Sequence, residues 1–217
     1  MAPSRNSHAQ RLKIVRRILK EVPLVDGHNN FAWNVRKYAQ NSLELISMRR
    51  DPDAEAWTRP TWAQTDIERL KQGLVGVQMW SAYVPCEALG LDAVQVAIEQ
   101  IDIIRRLTDM NTLDTMLAKS SKDIFIARQR HQMASLIGIK GGHAIGSSLA
   151  VLRSFYSVGA RALSLTHKCD LSWAGSSASE TENGLSAFGK FCCDSPRRLA
   201  NHPGPRYILS LRCTTNM

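Results

Sequence analysis

The chain has 217 residues with 28 Lys and Arg against 19 Asp and Glu, a net charge of +9, and is 44% hydrophobic and 22% charged. That balance excludes an intrinsically disordered chain and fits one large domain or a piece of a larger one. Residues 1–50 hold ten basic against three acidic residues and 190–217 hold five against one, whereas 51–189 hold thirteen against fifteen, so the charge marks solvated basic ends and no nucleic-acid partner is expected.

At the N-terminus, MAPSRNSHAQRLKIVRRILKEV lacks the apolar core of about 7–15 residues that a secretory signal needs, and no run approaches the roughly 20 apolar residues of a membrane span. SHAQRLKIVRRILKEV sets Leu12, Val15, Ile18 and Leu19 among basic residues at helical spacing, predicting an amphipathic helix. PLVDGHNN follows as a short buried strand. WAQTDIERLKQG predicts a helix ended by Gly73, and GLVGVQMWSAYV a second apolar strand. VQVAIEQIDIIRRLTDM predicts a long helix with Val96, Ile98, Ile101, Ile104 and Leu107 apolar. SLIGIKGG reads as a third strand, SSLAVLRSFYSVG as a helix stopped by Gly159, and ARALSLTH as a fourth strand. After residue 190 the tail FCCDSPRRLANHPGPRYILSLRCTTNM shows two Pro-containing interruptions and no amphipathic helix, with one candidate strand in RYILSLRC.

Strands alternating with helices predict right-handed βαβ units and a parallel sheet. The fold class is α/β, with the first four βα units of a (β/α)8 barrel, a fold that takes about 200 to 400 residues. Three segments follow: a basic helical arm (1–20), the barrel half (21–190) and a divergent tail (191–217). Half a barrel leaves open sheet edges that invite self-association.

His28 and Asn30 lie two positions apart, a spacing that in a strand places both on one face. Lys140 ends the third strand, where such folds carry their chemistry. His143, after Gly141 and Gly142, reads as a helix-start residue rather than a ligand, and no GK[ST] follows to make a phosphate loop. Trp33, Trp62, Trp80 and Trp173 read as core or rim packing. The five cysteines form no CxxC pair, which leaves zinc ribbons and thioredoxin-type motifs unsupported.

Together, DGHNN, GLVGVQMWSAYVPC and LIGIKGGHAIGSSLAVLRSFYSVGARALSLTHKC resemble the membrane (renal) dipeptidase family of zinc metallopeptidases, invertebrate members in particular, over roughly residues 20–190. The resemblance implies two zinc ions, a bridging water that attacks a dipeptide, and proteins that are secreted or membrane-anchored and often homodimeric. Carried over by position, His28 matches a zinc ligand, and His167 matches the histidine that contacts substrate. Asn30 stands where the family has an aspartate ligand, and Lys140 where it has the bridging glutamate. Cys86 and Cys169 match a disulfide pair, against the free thiols expected in a reducing compartment. The remaining zinc histidines and the catalytic aspartate fall beyond the matching strands.

A dinuclear site needs carboxylates to offset four positive charges. Asn30 offers only a neutral carbonyl, and the Lys140 ammonium has no lone pair to give. Exchanging a bridging anion for a cation favours an empty site. The chain is therefore expected to be a truncated, inactive member of this family, or a non-enzymatic binding fragment that interacts through its basic termini.

Overall fold

The computed structural model describes residues 7–49, 63–179 and 184–199, with the backbone alone over 194–199. The candidate strand in RYILSLRC and Trp62 lie outside them. Seven α-helices are described: α1 (His8–Glu21), α2 (Phe31–Ala39), α3 (Ile67–Gln72), α4 (Ala93–Met110), α5 (Ser121–Gln129), α6 (Leu149–Ser157) and α7 (Ala187–Leu199). The strands are β1 (Leu24–Asn29), β2 (Val75–Tyr83), β3 (Thr115–Leu117), β4 (Met133–Lys140) and β5 (Ala160–Leu163).

Local chemistry explains most of the boundaries. Ser7 and Gln10 form a reciprocal capping box at the start of α1. Asp66 accepts from the Arg69 amide at 2.7 Å to cap α3, and Ser148 accepts from Val151 at 3.4 Å to cap α6. Gly159 adopts φ +118° just beyond α6, a conformation that favours glycine and turns the chain into β5.

All strand pairs are parallel. β2 lies between β1 and β4, and β4 pairs with β3 along its first half and with β5 along its second. The four strands expected from the sequence therefore lie side by side in chain order. The three-residue β3 was not anticipated, being too short for a periodicity signal.

Successive residues of β2 and β4 face opposite sides. Trp80 and Ala82 with Ile137 and Ile139 join the main core, which also takes in Phe31 and Val35 of α2 and Ala97, Ile101 and Ile104 of α4. Val77 and Ala134 belong to the other face, in a smaller cluster with Ala127 of α5. Ser81, Tyr83 and Lys140 share the register of that second face. Trp80 and Trp173 are buried as expected, and Trp33 packs at the edge of the core.

Two expectations need correction. The first strand is not buried: Val25 is 57% and Leu24 39% exposed, because among the described residues β1 has a neighbour on one side only. The tail expected to lack an amphipathic helix contains most of α7, which crosses residue 190 and runs through Pro196. Its first turns are anchored by tertiary contacts: Phe188 meets Trp173 edge-on at 5.8 Å, and Cys192 is buried. Packing outweighs the proline penalty of about 3 kcal/mol that the sequence suggests. Among the described residues no helix is long and apolar enough to cross a membrane.

Candidate active site at the strand ends

The carboxyl ends of β1, β2 and β4 converge. Tyr83 and Lys140 are register partners at the last positions of β2 and β4. His28, one residue from the end of β1, reaches both neighbouring strands. Its Nδ1 lies 2.7 Å from Ser81 Oγ and its Nε2 lies 3.3 Å from Lys140 Nζ. An ammonium only donates, so Nε2 is the acceptor. The proton then resides on Nδ1, which donates to Ser81. This tautomer uses both ring nitrogens within the protein.

Tyr83 is the hub of the site. Lys140 Nζ sits 5.1 Å from its ring centroid, a cation–π contact. His167 meets the same ring edge-on at 5.5 Å, and Trp33 does so at 5.1 Å. The structure thus brings His28, Lys140 and His167 around one tyrosine.

The electrostatics are cationic. Partial burial, and then the Lys140 charge, push the His28 imidazole below its ordinary value, with Asp26 pulling the other way. Burial, followed by Lys168, lowers Lys140. Burial, followed by Lys140, Lys168, His143 and His28, lowers His167. Burial and then Glu87 push the Tyr83 hydroxyl up.

Asn30 lies just beyond the strand. β1 ends at Asn29, whose Oδ1 accepts from the Phe31 amide at 2.9 Å, and Asn30 is the N-cap of α2. The strand geometry that would have paired it with His28 stops one residue early. Its Oδ1 is buried and lacks a hydrogen-bond partner among the described residues.

His143 is structural: 2% exposed, it donates from Nε2 to the Val84 carbonyl at 2.9 Å. Cys86 and Cys169 form a disulfide with Cα atoms 5.8 Å apart, joining the loop after β2 to the loop after β5. The free-thiol alternative is thereby corrected for this pair, while the buried Cys192 carries a free thiol.

Sequence reasoning missed Ser81, Tyr83 and Lys168. The first two were within reach, because residues i and i+2 at the end of an apolar strand share a face. What could not be read from the sequence was the register that sets Tyr83 level with Lys140.

A family model described as membrane dipeptidase (peptidase family M19) matches residues 12–199. Among curated proteins, mouse dipeptidase 3 is 39% identical over 188 residues, covering 84% of this chain and 36% of that protein. Human dipeptidase 3 is 36% identical over the same coverage. The chain thus spans about a third of the length of the relatives it matches. Among solved structures, dipeptidase AC, a metallopeptidase, matches at TM-score 0.66 with 18% identity, over 82% of this chain and 54% of that one. A metallopeptidase from Rhodobacter sphaeroides, solved with a phosphinate mimic of the dipeptide L-Ala-D-Ala, matches at TM-score 0.65, also with 18% identity, over 82% of this chain and 57% of that one. At such identity these two likenesses speak for the fold: the parallel sheet is part of a TIM-barrel-like architecture.

Proposed function

The chain belongs to the membrane dipeptidase family, and from that premise we propose that it keeps a dipeptide-facing pocket at its strand ends without the metal-dependent hydrolysis. Relatives that are named dipeptidases support a dipeptide as the ligand class. His167, edge-on to Tyr83, is the residue proposed to contact that ligand.

A metallopeptidase family implies a metal cofactor, zinc by the resemblance, and the residues present do not fit one. The carrying observation is Lys140 Nζ, 3.3 Å from His28 Nε2. The only lone pair that this imidazole could offer a metal is used by an ammonium, and the ammonium brings positive charge to the place where a cation would bind. Asn30 supplies no negative charge. Among the described residues no three His, Cys, Asp or Glu side chains cluster closely enough to hold a metal.

The test is to purify the chain, measure bound zinc and assay a simple dipeptide. No stoichiometric zinc and no turnover are expected, while two zinc ions per chain with turnover would overturn the reading. The double variant Asn30→Asp, Lys140→Glu restores two carboxylates and is expected to bind more zinc than the wild type. On size-exclusion chromatography the same preparation is expected to run larger than a monomer, because the sides of β1 and β5 that are unpaired among the described residues can pair with a second copy.

A further inference from the structure

Among the described residues the lysines at this site have no ion-pair partner. The described ion pairs are Arg36–Glu99, Arg49–Asp114, Lys71–Asp114, Arg69–Asp66 and Arg106–Asp102, and neither Lys140 nor Lys168 is among them. Asp26, the carboxylate that acts on His28, accepts at 3.2 Å from the His28 amide. Glu87 acts on Tyr83. His143 is turned away onto the Val84 carbonyl. Lys140 is held in place by an imidazole acceptor and an aromatic face, which fix the position of its ammonium without neutralising it.

We propose that this site binds a small oxyanion, a carboxylate or a phosphate, with Lys140 as the direct contact, Lys168 as the second charge and His28 as the positioning residue for Lys140. The physical case is direct. An ammonium held 3.3 Å from the His28 ring and 5.1 Å from the centroid of the Tyr83 ring, with the Lys168 charge acting on Lys140 and His167, forms a local excess that one anion relieves. Charge-assisted hydrogen bonds are the strong ones. Their place at the carboxyl ends of parallel strands is where sheets of this class bind ligands. In effect the position of a metal cation is filled by a covalently attached one, and the ligand preference becomes that of an ammonium. This rests on the proposed absence of metal from the site.

The experiment titrates acetate and, separately, inorganic phosphate into the zinc-free chain at constant ionic strength, with chloride as the control. The readout is the His28 and His167 ring resonances by NMR. Saturable shifts are expected with at least one oxyanion and not with chloride, and the anion that saturates at lower concentration identifies the class. Lys140→Gln is expected to weaken binding about tenfold or more, and Lys140→Arg to retain it. Lys168→Gln, outside any strand, is the second variant should the first misfold, and is expected to weaken binding less. Shifts that fail to saturate, or that both glutamine variants leave unchanged, overturn the site. A zinc-loaded, dipeptide-hydrolysing chain would overturn the proposed function and this site together. A zinc-free chain indifferent to oxyanions overturns this site alone.

Discussion

At the residue scale, the hydrogen bond between Lys140 and His28 settles a tautomer and with it a pH response. His28 and His167 both have folded-state values below the ordinary 6.5 for histidine. On acidification the unfolded chain therefore takes up these protons first. The stability they contribute is fully present above pH 6.5 and is lost as pH falls through 6.5 toward the folded-state values. The urea midpoint is expected to rise between pH 5 and 7.5, and the double variant His28→Gln, His167→Gln to flatten that rise. An equally steep rise in the double variant would count against this assignment. His28 and Lys140 were legible in the sequence because each stands at the end of an apolar run. What the sequence pattern did not reveal is that β1 ends at Asn29 and that Asn30 caps α2.

At the scale of elements, the turn after β4 shows what glycine is needed for. Gly141 has φ +108°, and a Cβ there would meet the His143 ring at 2.3 Å. Backbone strain alone predicts a loss of about 1–3 kcal/mol for Gly141→Ala, with the ring clash adding to it. Chemical denaturation measures it, and a change within error of zero would refute it. The helices α1, α3, α4 and α6 were legible from periodicity and stop signals. α5 was missed although it carries a start signal, Ser120 accepting from the Asp123 amide at 3.0 Å and Asp123 from the Lys119 amide at 2.8 Å. α2 has no side-chain cap to announce it. α7 was hidden by Pro196, although Ser186 accepts from the Gly189 amide at its start and Phe188 packs against the distant Trp173.

At the scale of the whole molecule, the parallel order was legible because near-continuous apolar strands alternate with helices, which leaves few topologies open. The exposure of β1 was not, since burial depends on neighbours that a single strand's pattern does not report. The Cys86–Cys169 bridge spans 83 positions. Chain-entropy arguments give such a closure about 4.5 kcal/mol of stability. Reduction, or the double Cys86→Ala, Cys169→Ala variant, is expected to lower unfolding stability by that order in urea titrations. An unchanged midpoint on reduction would refute it.

That bridge also divides the chain mechanically. Force applied to the two termini passes through the sulfur atoms, so α4, β3, α5, β4, α6 and β5 lie inside a loop that carries no tension even when unfolded, while β1 and β2 lie outside it. About 28 nm of extended chain would be missing from a stretching trace of the oxidised protein and regained after reduction. The candidate site lies partly on this slack loop, through Lys140 and His167, and partly outside it, through His28, Ser81 and Tyr83. Tension along the backbone would thus act on the segment that carries His28, Ser81 and Tyr83 and spare the one that carries Lys140 and His167.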